Sequence, residues 1–245
     1  MSNEHLAAIV LAAGKGTRME SDLHKVLHEL AGKPMLGHVL DTLACLEISK
    51  TLVVVGAGRE QIETAYPSLA TVVQEEQLGT GHAIRVTESA LADFDGVVLI
   101  LYGDVPLVTS DTLLRLANKV TQQCALAVLG FRPGETAAYG RLQTTESGRL
   151  ERIIEHADAT DEERAIQFCN SGIMAADKKR LFEMLSQISN SNSKGEYYLT
   201  DIVEKMNRAG HRVETVEASP LEVSGVNSKA ELDSLNQTLL NQSNV

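Results

Sequence analysis

Basic side chains surround two glycines near the start of the chain. Gly14 and Gly16 follow an apolar run, and Lys15, Arg18 and Lys25 lie beside or shortly after them. Glycine lets the main chain approach a ligand closely and donate N–H groups, while lysine and arginine neutralise the charge on phosphate oxygens. The spacing therefore predicts a phosphate-binding turn at the end of a buried strand.

Two common phosphate-binding motifs do not fit this turn. A Walker loop requires a glycine four residues before a Gly-Lys pair, and the chain has none. The dinucleotide fingerprint requires a third glycine, but Met19 stands there, and Gln61 stands at the corresponding place after Gly56 and Gly58. In isolation, such a glycine pair is more often a plain strand-to-helix turn.

Asp104 follows an apolar run at 97–101 and precedes Pro106. In open parallel sheets, ligands bind beyond the carboxyl ends of the strands, where this carboxylate is expected. There it could hold Mg²⁺ against phosphate oxygens. The alternative is an aspartate that only opens a turn before proline.

Gln74 is expected at the end of another strand, and the glycines at 79 and 81 lead into a helix. An amide both donates and accepts hydrogen bonds, so it suits the edge of a nucleobase. Gln77 is as close in sequence, and spacing alone does not choose between the two glutamines. The alternative for Gly79 and Gly81 is a helix cap without a ligand.

Further polar residues are expected beside strand ends or helix starts. Glu155, Asn170 and Asn227 suit sugar hydroxyls, an acetamido group or a second metal ligand, although such residues are more often surface turns. Tyr198 and Thr200 are expected to open a helix, where an aromatic ring usually packs in the core. No serine or cysteine nucleophile has a motif-level histidine partner, which suits phosphoryl transfer by positioning and charge neutralisation.

Composition limits the class of protein. The net charge of −11 argues against a nucleic-acid-binding surface. The 43% of hydrophobic residues and the length of 245 residues suit one α/β domain, with or without a small subdomain. The three cysteines are far apart, and the polar N-terminus lacks a signal or membrane segment, so we expect a cytoplasmic protein with no membrane partner. The oligomeric state is not predicted.

The first half of the chain alternates between strand and helix patterns. Short β-branched runs predict strands at 8–11, 51–55, 71–74, 97–101 and 125–129. Helical spacing predicts helices at 34–46, with Pro34 in the first turn, and at 60–65, 82–91 and 110–120. This order predicts a mostly parallel sheet covered on both faces.

After residue 130 the pattern changes. It predicts strands at 141–144, 149–155, 166–175 and 212–217, and helices at 178–188 and 196–209. A capping box, in which each side chain bonds the other's main-chain N–H, is expected between Ser228 and Glu231 at the start of the last helix. We therefore expect one domain over 1–240, with a nucleotide-binding part at about 1–130, a smaller lobe at about 131–227 and a frayed tail at 241–245.

Taken together, these segments resemble the sugar-nucleotidyltransferase family, and within it the N-acetylglucosamine-1-phosphate uridylyltransferases. The matching motifs span essentially the whole chain in the family's order: LAAGKGTRM at 11–19, KVLH at 25–28, EQLGTGHA at 76–83, LYGDVPL at 101–107, YGR at 139–141, EHADATDE at 155–162, GEYYLTD at 195–201 and GVN at 225–227.

The resemblance implies a doubly wound, Rossmann-like α/β fold with a smaller β-rich sugar-binding lobe and the active site between them. It also implies a reaction in which UTP and N-acetylglucosamine 1-phosphate give UDP-N-acetylglucosamine and pyrophosphate, supplying precursors of the cell wall and lipopolysaccharide. Mg²⁺ is the implied cofactor. Open alternatives are the same chemistry with another base or sugar phosphate, and a non-catalytic nucleotide-sugar-binding protein.

The resemblance also implies roles for individual residues. It assigns catalysis to Arg18 and Lys25, and Mg²⁺ binding to Asp104 and Asn227. It assigns uracil binding to Gln74 and not to Gln77. The substrate-binding set that it implies is Leu11, Ala12, Ala13, Gly14, Lys25, Gln74, Gly79, Thr80, Tyr102, Gly103, Asp104, Gly140, Glu155, Asn170, Tyr198, Thr200 and Asn227.

Three departures from the family pattern limit what is carried over. His24 stands where the family usually has proline, and Ser171 stands where threonine is usual. The hexapeptide repeats that bifunctional relatives carry after this region are not present. We therefore do not expect acetyltransferase activity of this chain.

Overall fold

The computed structural model describes residues 5–14 and 16–243, without the side chains of 242 and 243. The strands are β1 Leu6–Ala12, β2 Glu29–Leu30, β3 Lys33–Pro34, β4 Ile48–Val55, β5 Ala70–Val73, β6 Val97–Tyr102, β7 Cys124–Phe131, β8 Arg141–Thr144, β9 Leu150–Ile154, β10 Cys169–Asp177 and β11 Arg212–Ala218. The α-helices are α1 Met35–Ala44, α2 Arg59–Ala65, α3 Thr80–Arg85, α4 Ser110–Ala117, α5 Asp161–Arg164, α6 Lys178–Leu185, α7 Ile202–Arg208 and α8 Lys229–Ser243.

The large sheet has the strand order β11-β7-β10-β6-β1-β4-β5. All of these strands run in one direction except β10, which lies antiparallel between β6 and β7. The chain moves outward from β1 to β4 and β5, then returns to the other side of β1 as β6. The carboxyl ends of β1 and β6 therefore form the topological switch point, where open α/β sheets bind their ligands.

The β-rich region after residue 130 is hydrogen-bonded to the same sheet. The first residues of β10 pair with both β7 and β8, and β8 pairs with β9 in an antiparallel hairpin. The register of β10 shifts between Asn170 and Met174. Both halves of β10 pair with β7, but the first also pairs with β8 and the second with β6. Strand β10 thus connects the β-rich region to the centre of the parallel sheet.

Apolar side chains cover both faces of the sheet, which explains why the strand sequences are almost continuously hydrophobic. In β1, Ala8 and Val10 face one core cluster, while Ala7 and Ile9 face the other. A third, smaller cluster joins α8 to the β2–β3 hairpin through residues such as Leu235 and Leu30. These features confirm the predicted α/β class. No helix in the described part of the chain is long and apolar enough to cross a membrane.

The segment predicted as a helix over 196–209 forms a helix only from Ile202, after a 3₁₀ turn at Leu199–Asp201. Tyr197 instead pairs through its main chain with the 78–81 loop, where its N–H donates to the Leu78 carbonyl at 2.7 Å and its carbonyl accepts from Gly81 N–H at 2.8 Å. Helical spacing in the sequence cannot report such a contact, because its partner lies more than a hundred residues away.

Other boundaries differ for local reasons. The helix predicted over 82–91 begins at Thr80 and is followed by a separate 3₁₀ turn at Ser89–Leu91. Pro34 precedes α1 as its N-cap rather than lying in its first turn. The short helix α5 was not predicted, although Thr160 and Glu163 form a capping box at its start. At the other end of the chain, α8 includes residues 241–243, which the sequence placed in the tail.

Candidate active-site cleft at the switch point

A cleft of about 400 Å³ opens at the carboxyl ends of β1 and β6. This volume falls within the usual range for small-molecule sites. Eleven of the sequence-predicted site residues line it: Leu11, Ala12, Ala13, Gly14, Lys25, Gln74, Gly79, Thr80, Tyr102, Asp104 and Asn227. It is also lined by Val26, Gln77, Ala83 and Glu196, which the sequence prediction did not select.

The turn after β1 packs closely on the segment that carries Lys25. Gly16 has a positive φ of 60°, and a Cβ there would lie 2.7 Å from the Lys25 Cβ, so only glycine fits. Arg18 follows in an exposed 3₁₀ turn and makes no ion pair or hydrogen bond with any described residue. It is not among the residues that line the cleft. The predicted contribution of Lys15 concerns a residue outside those that the structure describes.

Three predicted phosphate-end residues meet directly. The Lys25 ammonium donates to Asp104 Oδ2 and, at 3.2 Å, to Asn227 Oδ1. The side chains of Lys25 and Asp104 are only 13% and 14% exposed, so water screens this pair little. Asn227 lies 202 positions from Lys25 in the chain, and only the fold brings them together.

The oxygens of Asp104 and Asn227 therefore converge on one cation. Carboxylate and amide oxygens are ligands that suit Mg²⁺, which commonly takes one or two protein carboxylates and completes its shell with water and substrate phosphates. The donor set thus fits the implied metal. No group of three or more histidine, cysteine, aspartate or glutamate side chains that could hold a metal occurs among the described residues.

Two hydrogen bonds fix the loop that carries Asn227. The Val226 N–H donates to the Asp104 carbonyl at 2.9 Å, and the Asn227 N–H donates to Glu231 Oε2 at 2.6 Å. The Ser228 hydroxyl accepts from Glu231 N–H at 3.3 Å, as the predicted capping box requires. The reciprocal bond differs from the prediction, because the Glu231 carboxylate bonds the N–H of Asn227 instead of that of Ser228.

Gln74 is held at another side of the cleft. Its main-chain N–H donates to the Val55 carbonyl at 2.8 Å, and its side-chain nitrogen lies 3.1 Å from both the Gly79 carbonyl and His82 Nδ1. Gln77 also reaches the cleft, where its amide donates to the Ala13 carbonyl. Gln74 is buried and Gln77 is exposed.

The loop beside Gln74 has no room for larger residues. Gly79 has a φ of 106°, and a Cβ there would lie 2.7 Å from the Tyr197 carbonyl oxygen. Thr80 accepts a hydrogen bond from Leu199 N–H through its hydroxyl at 3.1 Å. The GEYYLTD segment therefore forms the support of this loop.

The predicted sugar-binding residues other than Tyr102 and Gly103 form contacts outside the cleft lining. Thr200 donates through its hydroxyl to Glu155 Oε1 at 3.0 Å, and Asn170 N–H donates to the Gly140 carbonyl at 2.8 Å. Gly172, which sequence analysis did not select, connects this region to Tyr102, because a Cβ there would lie 2.6 Å from the tyrosine ring. Seven predicted residues are absent from the cleft lining: Arg18, Gly103, Gly140, Glu155, Asn170, Tyr198 and Thr200.

Burial changes the proton affinity of several groups around the site. Burial raises the pKa of the Tyr102 phenol well above its ordinary value, and the nearby Glu155 and Asp104 carboxylates raise it further. Tyr102 is therefore a neutral hydrogen-bonding group over the physiological pH range. Burial also raises the pKa of Asp201, with Glu204 and Glu155 adding to the effect.

A buried cation that was not selected from the sequence organises the 136–140 loop. Arg141 is 1% exposed and donates to four main-chain carbonyls, those of Thr136, Ala137, Tyr139 and Arg164. The only sequence signal for this role is the arginine of the YGR motif, which directly follows Gly140. The guanidinium fork suits such multiple acceptors, because it presents five donors in one plane.

The profile of the MobA-like NTP transferase domain matches residues 8–196. Among curated proteins, the Bifunctional protein GlmU of Rhizorhabdus wittichii is 52% identical over 236 residues, which are 95% of this chain and 52% of that protein. The protein of the same name from Rhodospirillum rubrum is 51% identical over 228 residues, 92% of this chain and 51% of that protein. The chain thus spans about half the length of the curated relatives it matches.

Solved structures share the fold at low sequence identity. The structure of a UDP-glucose pyrophosphorylase complexed with UDP-glucose matches with a TM-score of 0.77 at 17% identity, covering 97% of this chain and 99% of that one. An inositol-1-phosphate CTP transferase from T. maritima matches with a TM-score of 0.71 at 16% identity, covering 97% and 98%. These matches confirm the predicted Rossmann-like fold.

Proposed function

Because the chain belongs to the MobA-like NTP transferase family, we propose that it joins UTP and N-acetylglucosamine 1-phosphate to give UDP-N-acetylglucosamine and pyrophosphate. The observation that carries the proposal is the meeting of Lys25, Asp104 and Asn227 at the switch point of the sheet. The fold alone would fit many nucleotide-binding proteins, whereas a largely buried lysine beside two oxygens that could bind a metal is suited to charged phosphates.

In the proposed reaction, an oxygen of the sugar phosphate attacks the α-phosphorus of UTP. The new oxygen–phosphorus bond forms as the bond to the β-phosphate breaks, and pyrophosphate leaves in line with the attack. Two anions must approach each other, so charge neutralisation is the main task of the site. Lys25 and Arg18 would provide the cations, Lys25 from the cleft wall and Arg18 from the exposed turn after β1.

Asp104 and Asn227 would hold Mg²⁺, which when bound supplies charge neutralisation and polarises the phosphoryl group. Lys25 occupies their oxygens in the structure, so the three side chains must rearrange when metal and substrate bind together. A lysine has a flexible four-carbon stem, and it can therefore move its charge from these oxygens to a phosphate.

The substrate-recognition residues extend the proposal. Gln74, Gly79 and Thr80 would bind the uracil, while main-chain groups at 11–14 would contact the nucleotide. Gly140, Glu155, Asn170, Tyr198 and Thr200 would surround the sugar, with Tyr102 and Gly103 between the two halves. The proposed location is the cytoplasm, and the three free cysteines fit its reducing conditions.

Release of pyrophosphate from each combination of four nucleoside triphosphates with several sugar 1-phosphates tests the proposal. We expect UTP with N-acetylglucosamine 1-phosphate to give the highest kcat/KM, and chelation of Mg²⁺ to stop the reaction. Faster turnover of a non-acetylated sugar, or of another triphosphate, would contradict the proposed substrates while leaving the reaction class in place.

A further inference from the structure

The side-chain amide of Gln74 has only one orientation that satisfies its neighbours. The Gly79 carbonyl oxygen, 3.1 Å from Nε2, can only accept a hydrogen bond, so the amide must present its NH₂ group there. If the amide were reversed, two oxygens would face each other. The main-chain carbonyl therefore favours the orientation in which the amide nitrogen faces it.

His82 takes the second proton of the same NH₂ group. Its Nδ1 lies 3.1 Å from Gln74 Nε2, and it accepts this proton when the ring is neutral and carries its own proton on Nε2. Both donors of the amide are then used within the protein. No described residue donates to Gln74 Oε1, and Gln74 lines the cleft, so this oxygen is the amide group that a ligand meets.

An amide fixed in this way accepts a hydrogen bond and cannot donate one. Uracil and thymine present an N–H at ring position 3, whereas cytosine presents a lone pair there. To pair with cytosine at this position, the amide must rotate, lose both internal hydrogen bonds and turn its oxygen toward the Gly79 carbonyl. We propose that His82 is a positioning residue that makes the cleft select a base with an N3–H, by holding the Gln74 amide in one orientation. This inference rests on the proposed function.

Two substitutions at His82 separate the hydrogen bond from the volume of the ring. His82→Phe keeps an aromatic ring but removes the acceptor, while His82→Asn places an amide oxygen near the position of Nδ1. We expect His82→Phe to lower the ratio of kcat/KM for UTP to that for CTP by about tenfold, the factor that corresponds to one lost hydrogen bond. His82→Asn should restore the ratio to within about threefold of the unmodified protein.

The experiment measures pyrophosphate release with UTP, dTTP and CTP, and thermal unfolding of each variant confirms folding. His211→Phe, on the turn between α7 and β11, is the matched control and should leave the ratio unchanged. The effect should appear mainly in KM, since His82 acts through the base and not on the reacting phosphorus. A ratio unchanged in His82→Phe, or one lowered equally in His82→Asn, would overturn the inference.

Failure of the proposed function gives a different result. If the unmodified protein releases pyrophosphate from no triphosphate, the proposed reaction is wrong, and calorimetric binding of UTP and CTP then tests the inference. A preference for UTP that His82→Phe reduces and His82→Asn restores supports the role of His82. Equal binding of UTP and CTP by the unmodified protein contradicts it.

Discussion

The two sides of the site are assembled by different forces. At the proposed phosphate end, Lys25 forms an ion pair with Asp104 and a hydrogen bond with Asn227, and each residue comes from a different part of the chain. On the proposed sugar side, Gly140 and Asn170 are joined by a neutral main-chain hydrogen bond, and the buried Arg141 binds the carbonyl of the neighbouring Tyr139. Charged contacts must be exchanged when an anionic substrate binds, whereas the neutral network can remain in place. We therefore expect substitutions at the phosphate end to change kcat and those on the sugar side to change KM.

Asp104→Asn is the most severe test of this contrast. It removes the carboxylate that pairs with Lys25 and would hold Mg²⁺, and we expect kcat to fall by about a thousandfold. Pyrophosphate release across a Mg²⁺ titration measures the effect. Asp111→Asn, on the exposed face of α4, is the control. If Asp104→Asn changed only the KM for the sugar phosphate and left kcat unchanged, the proposed difference between the two sides would be wrong.

Arg18→Ala tests whether an exposed cation outside the cleft lining takes part in the reaction. We expect turnover to fall by at least about a hundredfold, because one cation that neutralises charge in the transition state typically contributes that much. Folding should be unaffected, since Arg18 is exposed and makes no ion pair or hydrogen bond with a described residue. Arg208→Ala on α7 serves as the control. Full activity in Arg18→Ala would confine charge neutralisation to Lys25 and the metal.

Arg141→Met tests the proposed sugar side of the site. It leaves four carbonyls without their donor, so the free energy of unfolding should fall by about 3 kcal/mol. We expect KM for the sugar phosphate to rise about tenfold while KM for UTP stays nearly constant. Arg149→Met, at an exposed position nearby, controls for the loss of a surface charge. Equal changes in both KM values would indicate a general loss of structure instead.

Glu231→Ala tests the support of Asn227. Its carboxylate accepts a hydrogen bond from the Asn227 N–H, so the alanine variant should raise the Mg²⁺ concentration needed for half-maximal activity about fivefold. This is less than the usual effect of a residue that orients a metal ligand, because Glu231 is exposed. Glu231→Gln keeps an acceptor oxygen and should be closer to the unmodified protein. Binding of Mn²⁺ followed by electron paramagnetic resonance provides a measurement independent of turnover.

The smallest expected effect is on stability against acid. Burial lowers the pKa of His24 from 6.5, and the neighbouring Lys25 and His28 lower it further. The unfolded chain therefore protonates this ring at a higher pH than the folded chain does. The contribution of His24 to the free energy of unfolding is fully present above pH 6.5 and declines as the pH falls toward the lowered pKa. Denaturant unfolding at pH 8, 6 and 5 should show a smaller acid loss in His24→Gln than in the unmodified protein or in His5→Gln.

The sequence predicts most of what is local. The apolar runs before Gly14 and Asp104 are strands β1 and β6, and the expectation that both ends share an edge of the sheet agrees with the Gly103 N–H, which donates to the Leu11 carbonyl at 2.9 Å. Periodicity indicates these elements because burial on both faces requires continuous apolar sequence.

What the sequence does not predict depends on distant partners. The antiparallel insertion of β10 between β6 and β7 leaves no periodic signal, since any fully buried strand looks alike in sequence. Tyr197 lies outside the helix because its main chain bonds the 78–81 loop. The role of Arg141 depends on four main-chain carbonyls. Selection of Gln74 came from family resemblance, because the residues themselves left Gln77 equally suitable.

The shared strand β10 has a mechanical consequence. Its first residues include Asn170, and its later residues pair with β6, which ends two residues before Asp104. The proposed sugar-binding residues and the proposed metal-binding edge are therefore linked through one hydrogen-bonded strand. We expect these two regions to move little relative to each other, and we expect the loops at the edge of the sheet, including the turn that bears Arg18, to accommodate an incoming molecule.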